Sequence, residues 1–252
     1  MKINREKAKA VFTEYVSHYN GQDEKVRLKV EHTFRVSELC EEIAGFLSLS
    51  DEEVDLAWLT GLLHDVGRFE QLKNFGTFID ADSIDHAQYG ADILFRQGRI
   101  RDYVESRQED QLMETAVRFH SAYRLPEGLD EKTERFCHIL RDADKIDIYK
   151  VNVDFPLEEI YNVTTQELVS CQVTEEVMQS FDEGHAVLRS LRKTPADNVV
   201  GHISMAHELV FPISREIVAK QGYLKRLLDF QSENPKAREQ FQYIRERMKE
   251  YL

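Results

Sequence analysis

The sequence predicts an all-α fold, and three observations carry that prediction. The 252 residues include only eleven glycines and five prolines, so little interrupts helical backbone. Apolar residues recur at three- and four-residue steps along most of the chain, which gathers them on one helical face. No stretch alternates apolar and polar residues well enough to define a strand, with residues 163–173 left ambiguous.

Taken in order, an N-terminal helix is expected within residues 1–24. From Val30 to Leu49 the set His32, Val36, Leu39, Cys40, Ile43 and Leu47 falls on one face, with Glu38, Glu41 and Glu42 elsewhere. This is an amphipathic helix whose buried stripe contains a histidine. Ser50 before Asp51, Glu52 and Glu53 reads as an N-cap with an acidic first turn, and the run from Val54 to Val66 is almost wholly apolar. That central helix carries His64 and Asp65 near its C-terminal end, and Gly67 is read as its stop. Residues 69–85 read as a loop, after which Ser83 or Asp85 caps a helix holding His86, Gly90, Ile93 and Leu94. A helix over about 108–119 leads to His120, and Pro126 and Gly128 mark a turn before a helix from Lys132 to about Tyr149. Pro156 marks a junction. Three further helices are expected, at about 174–191, 197–221 and 223–251, with Pro195 at a turn and Pro212 at a kink.

Lys and Arg total 33 against 46 Asp and Glu, a formal charge of −13. Such a chain lacks the summed positive field that draws proteins to nucleic acid or anionic lipid, so neither is expected as a partner. Lys2, Arg5, Glu6, Lys7 and Lys9 leave no apolar core for a signal peptide, and a cytoplasmic protein is expected. Cys40, Cys137 and Cys171 are widely spaced and form no CxxC pair, which fits a reducing compartment and argues against a cysteine-based zinc site. If the protein handles an anion, something other than net charge must hold it.

The adjacent pair His64-Asp65 points to chemistry. Both residues lie in an apolar run, where a carboxylate without a partner costs several kcal/mol, on the order of 3–5. A divalent ion held by neutral imidazoles compensates that charge directly, and one carboxylate can bridge two ions.

In combination, His32, the pair His64-Asp65, and Asp144 in the string Arg141-Asp142-Ala143-Asp144-Lys145-Ile146-Asp147 resemble the HD superfamily of metal-dependent phosphohydrolases. The resemblance covers about residues 25–149. It implies an all-α HD-domain helical bundle over residues 25–150; the additional C-terminal helices over 151–252 are expected to pack on the same core. It also implies that His32, His64, Asp65 and Asp144 ligate one metal, Asp144 rather than Asp142 matching the last motif. The segment from His86 to Leu94 looks like that of HD-GYP phosphodiesterases, so His86 and His120 are the expected ligands of a second ion, with Asp65 bridging. Phe119 and Ser121 flank His120, so the paired histidines and the GYP signature are absent and cyclic dinucleotide hydrolysis is not carried over.

The reaction class implied is hydrolysis of a phosphoester of a small molecule, above all a nucleotide, by a metal-activated water, with one or two ions of Mn, Zn, Ni, Mg or Fe. Asp65 is central to that chemistry. Arg68, Arg124 and Lys145 are candidates for holding phosphate, Arg68 and Lys145 also for catalysis, and Glu70 for proton handling; each also fits a solvated surface charge. Mixed-valent diiron oxygenases of the HD fold use the same ligand order as His32, His64-Asp65, His86, His120 and Asp144, and a signalling or scaffold domain is a third reading. His207-Glu208 lacks the HExxH spacing, and neither a P-loop nor GxSxG is present. Arg189, Arg192 and Lys193 form a small basic cluster that fits either an anionic ligand or a charged helix end. Oligomeric state is left open, a homo-oligomer included.

Overall fold

The computed structural model describes residues 1–252. They divide into two compact units, Met1–Asp144 and Lys145–Leu252. The N-terminal helix falls within the first unit, and the division comes inside a helix, just before the boundary expected at 150. All regular structure is helical. No helix is long and apolar enough to cross a membrane.

The first unit contains α1 (Arg5–Ser17), α2 (Glu24–Phe46), α3 (Asp51–Leu63), α4 (Val66–Phe75), α5 (His86–Ala91), α6 (Ile100–Tyr103), α7 (Asp110–Phe119) and the start of α8 (Glu131–Asp154). Ser50 starts α3 as expected: it closes a capping box in which Glu53 accepts from the Ser50 N–H at 3.1 Å. The central helix differs from expectation at its other end. α3 stops at Leu63, His64 caps it, and Asp65 begins α4, so the His-Asp pair occupies a helix junction rather than a helix interior. Gly67 is therefore not a stop but lies inside α4. That helix runs on through residues 69–75, read as loop, and ends at Gly76 in the left-handed conformation with φ 70°. Asp85, not Ser83, caps α5, accepting from the N–H groups of Ala87 and Gln88 at 3.0 Å.

The core of this unit is built by Val36, Ile43, Leu59, Leu62, Leu63, Phe136 and Leu140, all essentially inaccessible. Each such side chain contributes about 1.5–3 kcal/mol through burial. Phe12 meets Phe34 edge-on at 5.5 Å and Phe69 at 6.0 Å, which pins α1 onto α2 and α4.

The second unit holds the rest of α8, then α9 (Leu157–Tyr161), α10 (Thr165–Ser170), α11 (Glu175–Asp182), α12 (Pro195–Ile203), α13 (Pro212–Gln221), α14 (Tyr223–Leu228) and α15 (Pro235–Arg247). The ambiguous 163–173 stretch holds the short helix α10 between irregular ends, and the three long helices expected here are shorter pieces. Prolines explain several of the breaks. Pro195, Pro212 and Pro235 each stand in a first helical turn, so Pro212 starts a helix where a kink was expected. Asp197 is fully buried and accepts the N–H groups of Thr174, Lys193 and Thr194 at 2.8–2.9 Å, joining the starts of α11 and α12.

Candidate metal centre

Two close helix approaches bring the predicted ligands together. On α3, a Cβ at Gly61 would stand 2.7 Å from Ser37 Cα, so only glycine lets α3 lie this near α2. The consequence is that His32 and His64 meet, with Nε2 atoms 3.3 Å apart. On α4, a Cβ at Gly67 would stand 2.2 Å from the His86 carbonyl and 2.7 Å from Gly90 N. This contact seats the start of α5 against α4. His86 there meets His120 at the end of α7, Nε2 to Nε2, at 3.1 Å.

Asp65 lies between the two pairs. Its Oδ2 is 3.6 Å from His32 Nε2 and 3.5 Å from His64 Nε2, while its Oδ1 is 3.5 Å from His86 Nε2 and 3.7 Å from His120 Nε2. One carboxylate thus presents one oxygen to each pair. Asp144 completes the first group, with Oδ1 at 3.2 Å from His32 Nε2 and 3.8 Å from His64 Nε2. The six side chains expected to ligate therefore form one cluster, and of the neighbouring aspartates it is Asp144 that meets the histidines.

The donor set fits divalent cations. His64 Nδ1 donates to the Gly61 carbonyl and His120 Nδ1 to the Val117 carbonyl, both at 2.7 Å, and His86 Nδ1 donates to Asp80 Oδ2 at 2.8 Å. Each neutral ring then points an unprotonated Nε2 inward, the tautomer a metal requires. At 3.1 Å the His86 and His120 lone pairs repel unless a cation shares them. Two nitrogens on one ion at about 2.0–2.1 Å stand about 2.9–3.4 Å apart, and both observed separations fall in that range. Burial keeps His64 neutral, lowering it to about 4 against the pull of Asp65 and Asp144. His86 is also lowered to about 4, by burial and then by the Arg68 charge. For Asp65, burial alone would raise the pKa, but the Lys29 ammonium, then His64, outweighs it and holds the carboxylate well below its usual range. Asp144 is likewise held below its usual range, its hydrogen bond to His32 outweighing burial.

The residues expected to hold substrate or protons are less uniform. Arg68 is buried beside the cluster, with Nε 3.7 Å from Asp65 Oδ1 and Nη1 donating to Asp80 at 2.8 Å and to the Phe78 carbonyl at 2.6 Å. Its Nε is buried without a hydrogen-bond acceptor. Glu70 is turned elsewhere: it accepts from Tyr19 at 2.7 Å and Asn74 at 3.2 Å, so its oxygens face α1 and the outer side of α4. Arg124 is exposed, stacked on Tyr123 at 4.2 Å. Lys145 is half-buried and opens the second unit.

Sequence reading missed two charged neighbours. Lys29 Nζ lies 2.8 Å from Asp65 Oδ2, and its signal was its place one turn before His32 on the same face of α2. Asp80 orients His86 and is itself held by Arg68 and by Gln71 Nε2 at 2.9 Å. Its signal, an aspartate in an acidic loop six residues before a histidine, is too common to single it out.

The family model described as HD domain matches residues 30–149, which contain all six candidate ligands. No curated protein and no solved structure matches the chain. With the ordered histidine and aspartate motifs brought into one cluster on a helical scaffold, residues 30–149 form an HD domain.

Proposed function

We propose that the protein hydrolyses a phosphoester of a small molecule of the nucleotide class. The observation that carries this reading is Asp65, with one oxygen at the His32–His64 pair and the other at the His86–His120 pair. Divalent ions held by these residues would supply Lewis acidity toward a phosphoryl oxygen and an acidified water. The chain's own residues bind and orient. Arg68 and Lys29, both beside Asp65, provide positive charge where a phosphoryl group must sit, and the orphaned Arg68 Nε offers it a donor. Lys145 and Arg124 enter the proposal as outer phosphate contacts, and Glu70, bonded to Tyr19, has no part in proton transfer.

The test pairs elemental analysis of protein purified without added metal with a panel of nucleotides and other phosphoesters. The expected result is Mn, Zn, Ni, Mg or Fe bound in the chain and phosphate release that disappears in His64→Ala/Asp65→Ala. Stoichiometric metal retained in that double variant would overturn the ligand assignment. The complete set of four histidines and two aspartates also supports the diiron oxygenase reading. Two irons per chain, with oxygen consumption and no phosphate release, would select it.

A further inference from the structure

Two cations flank Asp65, one at each oxygen. Lys29 Nζ lies 2.8 Å from Oδ2, and Arg68 Nε lies 3.7 Å from Oδ1. Both also face one ring: Lys29 Nζ is 5.6 Å and Arg68 Cζ 5.8 Å from the centre of Phe78. Phe78 is itself held in place, because its carbonyl accepts from Arg68 Nη1 at 2.6 Å. Ammonium and guanidinium therefore share one half-buried aromatic wall, beside the carboxylate that lies between the two histidine pairs.

The chain gives these two cations fewer acceptors than they can use. Arg68 is only 8% exposed, yet its hydrogen bonds all come from Nη1, which donates to Gln71, Phe78 and Asp80. Nε is buried with no acceptor, and Nη2, on the same edge of the guanidinium, donates to no protein atom. That edge is the two-donor fork that fits a pair of phosphate oxygens. Lys29, with a side chain 18% exposed, meets one carboxylate, and it is Asp65, whose oxygens already face the histidine pairs. Donors left unanswered in so dry a place are costly, which makes the ligand the source of the missing oxygens.

We propose that Lys29 and the Nε–Nη2 edge of Arg68, walled by Phe78, form a clamp that selects a phosphomonoester over a phosphodiester. A monoester brings close to two negative charges and three terminal oxygens. A diester has one charge and one terminal oxygen fewer, so it leaves a donor of the clamp unpaired. This inference rests on the phosphoester reading of the site. In the hydrolysis, water bonds to phosphorus, the bond from phosphorus to the ester oxygen breaks, and a proton from that water passes to the leaving alcohol. The products are an alcohol and inorganic phosphate.

The experiment uses the full-length, metal-loaded protein and two ligands: phenylphosphonate, doubly charged at mildly alkaline pH, and its monomethyl ester, singly charged. By calorimetry, phenylphosphonate is expected to bind tighter by roughly tenfold or more. Lys29→Gln should weaken phenylphosphonate by roughly tenfold and the ester by less than about twofold, at unchanged metal content. Equal weakening of both would make Lys29 a support for Asp65 and overturn the clamp, as would an ester that the parent binds as tightly as phenylphosphonate. The parent comparison decides alone if the variant does not fold. Turnover is followed with p-nitrophenyl phosphate and bis-p-nitrophenyl phosphate. A higher kcat/KM for the diester overturns monoester selection and leaves the hydrolase reading standing. Turnover of neither, with the binding preference intact, overturns the hydrolase reading alone.

Discussion

His86 Nδ1 lies 2.8 Å from Asp80 Oδ2, and Arg68 Nη1 lies 2.8 Å from Oδ1 of the same carboxylate. Asp80 thereby orients an imidazole whose other nitrogen faces His120 and Asp65. Both the hydrogen bond to His86 and the Arg68 charge hold Asp80 below the usual carboxylate range, in spite of burial. It is ionised at neutral pH and makes the His86 ring a better donor.

The first prediction concerns this support. Asp80→Ala should reduce metal affinity at the His86–His120 pair by about 10- to 100-fold while leaving the His32–His64–Asp144 group intact. Metal titration of the two sites measures it. Equal loss at both groups would show that Asp80 supports the whole fold rather than one ring.

The second prediction concerns the contact between α4 and α5. A Cβ at Gly67 meets backbone atoms of His86 and Gly90, which cannot turn aside as a flexible side chain can. Gly67→Ala should cost about 1–3 kcal/mol or more and should pull His86 from His120. Gly45, exposed on α2 with nothing within 4 Å of where a Cβ would stand, is the control. Gly45→Ala should be neutral or stabilise by up to about 1 kcal/mol. Urea unfolding of both variants, with metal content, checks the pair.

How much of this was legible follows from what sequence can encode. His32, His64-Asp65, His86, His120 and Asp144 were readable because ligands must be particular residue types and the motifs come in a set order. The helix junction at His64 and Asp65 was not, because the apolar run continues through Val66 and periodicity cannot register a one-residue change of helix axis. Gly67 looked like a stop for the same reason: the requirement at that position comes from the His86 carbonyl, nineteen positions on. Lys29 acts through Asp65, distant in sequence, whereas Asp80 lies only six residues before His86 but has the commonplace look of any aspartate in an acidic loop. The C-terminal helices are shorter than their periodicity suggests, because in sequence a proline that starts a helix looks the same as one that kinks it.

A third prediction follows from the inward-facing imidazoles. Chelation should destabilise the protein, since the His86 and His120 lone pairs then face each other at 3.1 Å. Returning a bound metal at about one hundred times its Kd should recover about 2.7 kcal/mol. The gain should be absent in His64→Ala/Asp65→Ala. Thermal unfolding at fixed protein concentration, with and without chelator, gives the comparison.

The last prediction is a pH dependence in the C-terminal unit. His202 titrates at about 3 in the folded protein, because burial and then the Arg192 charge oppose its protonation, against about 6.5 when unfolded. Between those values the unfolded chain binds a proton that the native chain does not, so stability falls as pH drops from about 6.5 toward 3. The largest slope for one such group is about 1.4 kcal/mol per pH unit. His64 and His86, lowered to about 4, act with the same sign in metal-free protein. The measurement is therefore the difference between the parent and His202→Gln, by urea unfolding in phosphate-free buffer. Between pH 7 and pH 5 the parent should lose about 1–2 kcal/mol more than the variant, the lower end reflecting the half-buried position of the ring. Parallel losses in the two proteins would mean that His202 accepts its proton without opposing the fold.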